Sequence, residues 1–187
     1  MRSAKAVFIF FLPLIIPVYM YGQRCDSIPW SMHHGLKWRY FKGKPDKKST
    51  ASAISEPHIY FHFTVNANHA GFTFSCTFST CHSWVKKVKS KNLLQHEQTH
   101  FDIAEYYKRL LVKEIRNQHF TAANIAGKVE TIGNALHQLR KEADDLYDRE
   151  TEHSVNEQKQ KEWYKRMRKL IKGLRHYRKP GYVVVLH

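Results

Sequence analysis

His96 and His100 stand four residues apart, with Glu97 directly after the first of them. On an α-helix that spacing is one turn plus about 40°, so both imidazoles project from one side. Two neutral imidazoles so placed can grip one Zn²⁺ ion. Glu97 falls about 100° further round, beside such an ion rather than on it. Its carboxylate could take a proton from an activated water and later pass it to a leaving amine. The ion would bring the pKa of that water toward about 7. The pattern therefore suits zinc-assisted hydrolysis, with Glu97 as general base and then general acid.

The motif needs a helix to hold it. Leu93, Ile103, Ala104 and Tyr107 continue an apolar periodicity on the histidine side, and no Gly or Pro interrupts the run. The spacing predicts a helix from about residue 92 to residue 118. A second is expected over 121–148, with Ile125, Val129, Ile132, Leu136 and Leu139 at helical intervals. A third should begin near Asn156, with Trp163, Met167, Leu170, Ile171 and Leu174 on one face. Before the helices the period is two. Ile59, Phe61, Phe63 and Val65 alternate with polar residues, as do Phe72, Phe74, Cys76 and Phe78, which predicts an antiparallel hairpin with one buried face. Leu36, Trp38, Tyr40 and Phe41 suggest a short strand, and Val183–Leu186 another. Strands first and helices after give an α+β fold: a small antiparallel sheet followed by a helical region that carries the motif.

The run Leu93-Leu94-Gln95-His96-Glu97-Gln98-Thr99-His100-Phe101-Asp102-Ile103-Ala104-Glu105 resembles the bacterial family called domain of unknown function 922. Leu36–Gly43, Ser83-Trp84-Val85, Tyr147–His153 and the later Gln160 and Trp163 resemble further landmarks of that family. The resemblance implies a zincin-like fold and a secreted zinc-dependent protease. Ser154 departs from it, because Gly is expected after His153 and Gly tolerates backbone that Ser resists.

A catalytic zinc commonly has three protein ligands and one open position. The third candidate is His153, with Glu157 and Glu150 as alternatives; His153 could equally be a loop or cap histidine. Tyr147 could stabilise an oxyanion through its hydroxyl, or serve as a core aromatic. Asp102 lies away from His100 on the helical wheel and is cast as a supporting or packing carboxylate.

The 187 residues suit one domain with a real core. Arg2 and Lys5 precede an apolar run over Val7–Tyr21 broken by Pro13 and Pro17, which reads as a cleaved secretory signal over residues 1–22 and implies a secreted or periplasmic protein. Residues 23–187 then form a single metallopeptidase-like domain, β-rich over 36–80 and helical over 92–176. The cysteines are Cys25, Cys76 and Cys81; export permits a disulfide, and Cys76 with Cys81 is the nearest pair. No short Cys-x-x-Cys spacing supports zinc ligation by thiolates. The formal charge is +15, and Lys159–Lys179 holds ten Lys or Arg residues. That segment is either the solvated face of an amphipathic helix or a dock for an anionic cell-surface component; no nucleic-acid partner is expected. The expected partner of the site is a peptide or protein substrate. The rival expectation is a catalytically idle binding protein that zinc stabilises.

Overall fold

The computed structural model describes residues 25–187, so the expected signal segment lies outside the described residues. The elements run β1 (Ser27–Pro29), a short 3-10 helix (Trp38–Tyr40), β2 (Ala53–Ile54), β3 (Pro57–Asn66), β4 (His69–Ser79), β5 (Trp84–Val85), α1 (Lys91–Arg116), α2 (Ile125–Thr151), α3 (Glu157–Gly173), a second 3-10 turn (Arg175–Tyr177) and β6 (Gly181–Val185). The fold is α+β, with small antiparallel sheets and three helices. Among the described residues no helix is long and apolar enough to cross a membrane.

β4 is the spine of the main sheet, and its sequence explains why. Ala70, Phe72, Phe74, Cys76 and Phe78 are buried, while the alternate residues Thr73 and Ser75 are exposed. That is the period-two pattern of a strand with one covered face. β3 pairs along one whole edge, from Pro57 opposite Phe78 to Asn66 opposite His69. The two-residue turn this leaves puts Ala67 at φ 50°, in the left-handed region that tight hairpins favour. The other edge of β4 is shared. β6 pairs with its first half and β1 with its last residues. β3 is only partly covered, because Phe61 and Val65 remain 39% and 44% exposed. Phe61 sits at the sheet edge, with Gly133 of α2 beside its ring.

α1 runs through the middle of the molecule. Ser90 caps it, its hydroxyl accepting the Leu93 N–H at 3.0 Å. Phe101 and Ala104 enter a cluster with Phe78 and Leu36 under the sheet. Leu111, Val112 and Ile115 pack with Phe72, Phe120 and Val129. Ile103 joins Tyr147, Trp163 and Met167 from α2 and α3. A helix touching three packed groups buries residues on nearly every side, polar ones included.

Two expectations are corrected. Trp38–Tyr40 forms a 3-10 helix, not a strand. Its tight turn brings the Trp38 and Phe41 rings to 4.9 Å, so the aromatics of this run cluster instead of alternating. Cys76 and Cys81, the nearest pair in sequence, are not bridged: the disulfide joins Cys25 to Cys81, and Cys76 is free and buried. Strand register explains this. β1 pairs Ser27 with Ser79, and two residues further along both strands the same register sets Cys25 beside Cys81, their Cα atoms 5.3 Å apart. Cys76 instead faces the core beside Phe78.

After α2 the backbone takes three left-handed residues in succession, Glu152, His153 and Ser154, with φ of 48°, 50° and 80°. This turn folds the chain back onto α1. There the Asn92 side-chain amide donates to the Ser154 carbonyl at 2.6 Å.

Candidate metal centre

α1 presents His96 and His100 from one side, as the spacing requires, and α2 lies across that side. The two Nε2 atoms face each other at 3.3 Å. Asp148 of α2 reaches between them, its Oδ1 3.1 Å from the His96 Nε2 and 3.0 Å from the His100 Nε2. These three side chains form a group able to hold a metal ion. Donors about 2.0–2.1 Å from a tetrahedral zinc lie about 3.3 Å from each other. The triangle of His96, His100 and Asp148 therefore has nearly the edge lengths of one face of a zinc tetrahedron, and two imidazoles with one carboxylate are an ordinary donor set for that ion.

The surroundings fix these donors. One turn before Asp148, Asp144 engages the Nδ1 of His100 at 2.8 Å, which leaves Nε2 to face the triangle. A carboxylate on the far ring nitrogen is the arrangement that would set the tautomer of a metal-ligating histidine. Arg140 in turn pairs with Asp144 at 3.3 Å. Burial by itself would lower the His100 pKa, but hydrogen bonds to Asp144 and Asp148 and their charges push it up to about 10. Burial would raise the Asp148 carboxyl, but hydrogen bonds from His100 and His96 and their charges hold it well below its ordinary range. A metal ion held here would take the place of the His100 proton.

Tyr147 is the floor of the site. Its ring stacks on His96 at 4.7 Å and meets His100 edge-on at 5.0 Å. Trp163 backs it from α3 at 5.3 Å. Burial pushes the phenol well above its usual range, with Thr99 as the hydroxyl's polar neighbour.

A cleft of about 620 Å³ opens over the triangle, walled by residues Thr50–Ser55 on one side and by Asp144, Asp148 and Glu152 on the other. Glu97 lines it while only 3% exposed. Ser55 helps hold the wall, its hydroxyl donating to the Glu97 carbonyl at 3.4 Å. β2, which lies in this wall, pairs with β5 and with no other strand among the described residues.

The other sequence candidates are placed as follows. His153 stands at the rim of the cleft, 79% exposed, its Nδ1 3.9 Å from the Asp148 Oδ1. Glu150 accepts the Trp163 indole N–H at 2.6 Å. Glu157 faces Lys161 on the exposed side of α3. Asp102 does not touch the histidines. It accepts the Trp30 indole N–H at 2.7 Å and the Gln98 amide at 2.8 Å, while Gln98 accepts the Leu36 N–H at 2.7 Å. Burial raises the Asp102 carboxyl's pKa against the pull of those donors. Gln98 and Asp102 thus staple the N-terminal segment to α1 on the side away from the metal triangle. Asp144 and Asp148 were missed, yet they carry a signal. They are four residues apart, like the histidines, so one turn of α2 offers two carboxylates to one turn of α1.

A family model described as a bacterial protein of unknown function, domain of unknown function 922, matches residues 28–154. The chain belongs to this family. The match takes in the His96–His100 motif, Asp144 and Asp148, and ends at Ser154, so Gln160 and Trp163 lie beyond the DUF922 span. No curated protein and no solved structure matches the chain.

Proposed function

We propose that this chain is an exported zinc metallopeptidase in which His96, His100 and Asp148 hold the metal and Glu97 carries the proton. The observation that carries the reading is the triangle of donor atoms at 3.0–3.3 Å, with a buried carboxylate lining the cleft beside it. When bound, zinc supplies Lewis acidity and brings the ionisation of water toward about neutral pH. Asp144 keeps the His100 ring oriented and in the tautomer whose Nε2 faces the triangle. The Tyr147 ring fixes both imidazoles from below, a role for its face rather than its hydroxyl. Glu97, nearly buried, takes a proton from water and returns it to the leaving amine, a task for which a positioned carboxylate is worth roughly 10²–10⁴ in rate. The single-sided pairing of β2 in the cleft wall supports a peptide substrate, since an extended chain can add to such an edge.

The test is zinc content and peptide hydrolysis of purified wild type beside Glu97→Gln. The variant should keep one zinc per chain and lose about a hundredfold or more of the activity. Hydrolysis that survives this substitution removes Glu97 from the mechanism. Zinc bound without hydrolysis by the wild type would favour the idle, zinc-stabilised binding protein instead.

A further inference from the structure

A second cleft, of about 570 Å³, lies where the Pro29–His33 segment, α1 and the Lys172–Pro180 turn meet. Its floor comes from the part of α1 beyond the metal motif. Arg109 is nine residues past His100, which on a helix is about 180° away, so this cleft and the metal cleft open on different sides. Lys108 and Arg109 are 4% and 5% exposed. They share one oxygen of Glu105, at 3.1 and 2.7 Å. Arg109 also donates to the Ile171 carbonyl at 2.7 Å and lies over the Trp30 ring. Lys108 has three ammonium donors, and Glu105 is its only partner among the described residues. The buried lining thus holds two fixed cations for one carboxylate, with the buried Asp102 carboxyl behind it engaged by the Trp30 indole, an arrangement that desolvation penalises until further negative charge arrives.

The rim adds to the imbalance. Lys172, Arg175, Arg178 and Lys179 all line the cleft and are exposed. Six cationic side chains therefore face one carboxylate, Glu105, among the described lining residues. A solvated basic surface would keep its charges in water, whereas this one sinks two of them below the surface. Forked guanidinium groups and a buried ammonium around one hollow match a compact dianion with several acceptor oxygens. The rim residues lie beyond residue 154, outside the span of the family match.

We propose that this cleft is a phosphate-binding site, with Lys108 and Arg109 as the floor and Arg175, Arg178 and Lys179 as the clamp. Trp30 and Phe74 in the wall would pack against the apolar body of a phosphate monoester. The site does not depend on the metal centre or on the peptidase reading.

The experiment is calorimetric titration of the purified full chain with inorganic phosphate at constant ionic strength, beside sedimentation with phosphatidylcholine vesicles containing phosphatidic acid. Saturable binding, weakened about tenfold or more in Arg178→Glu and in Lys108→Met, is expected for loss of one charge-assisted contact. Arg178→Glu, on the exposed rim, guards against a Lys108 variant that fails to fold. Binding to inorganic phosphate identifies a free phosphate as sufficient. Binding confined to the vesicles, and lost in Arg178→Glu, identifies a lipid headgroup. Binding of neither probe overturns the proposal. So does binding that Arg178→Glu leaves unchanged, or that disappears in His96→Ala, which would move the anion to the metal cleft.

Discussion

Replacing Asp148 by Ala should damage metal binding more than any change at His153. Asp148 contributes the oxygen that lies 3.0 and 3.1 Å from the two histidine nitrogens, whereas the nearest approach of His153 is 3.9 Å to that same oxygen from an exposed position. Loss of a supporting partner, here Asp144→Asn, typically costs metal affinity about 10–100-fold. Loss of a direct donor should exceed that range, which at about 1.4 kcal/mol per tenfold is more than about 2.7 kcal/mol. His153→Ala should change affinity by less than about threefold, under about 0.7 kcal/mol. Competition against a chromophoric zinc chelator measures all three variants on one scale. The expected order of loss is Asp148→Ala, then Asp144→Asn, then His153→Ala. If His153→Ala lost more than Asp148→Ala, the metal would sit at the cleft rim and the three-donor triangle would be an ordinary hydrogen-bonded cluster.

Ser154 holds φ 80°, a conformation costing a non-glycine residue about 1–2 kcal/mol. Ser154→Gly should therefore raise stability by about 1 kcal/mol, seen as a melting temperature about 2–4 °C higher; a lower one would show that the hydroxyl matters more than the backbone. Reducing the Cys25–Cys81 bridge, which spans 56 residues, should cost up to about 4 kcal/mol by loop entropy, measurable as a shift in the urea midpoint. Burial pushes the Cys76 thiol far above its ordinary range, with Glu105 adding to the effect. The folded, oxidised protein should thus show almost no alkylation at any pH from 7 to 10. In urea one thiol should react, faster as pH rises through about 8.5.

Much of this arrangement can be read from residue order. The β3–β4 hairpin declares itself because its apolar residues fall on alternate positions, and α1 because its apolar residues recur through the histidine motif. The first two helices begin and end within a few residues of their expected limits, and the third begins one residue from its expected start. What sequence reasoning misses depends on contacts between distant segments. β1 is three residues long and has no pattern of its own, so the register that joins Cys25 to Cys81 appears only when β4 is seen beside it. Sequence alone places the third candidate donor past the end of α2, at His153. Asp148, one turn inside that helix, reaches between the two histidines instead, while the left-handed turn at Glu152–Ser154 leaves His153 exposed at the cleft rim. Asp144 and Asp148 look like the surface acids of any helix until α1 is laid against them.

The covalent link between the first described residue and the segment just beyond β4 encloses the whole hairpin. A protease that clips the exposed bend at Ala67–Asn68 would therefore release nothing. The halves would stay tethered through sulfur and zipped by the ladder of β3 and β4, and the scission would show only on a reducing gel.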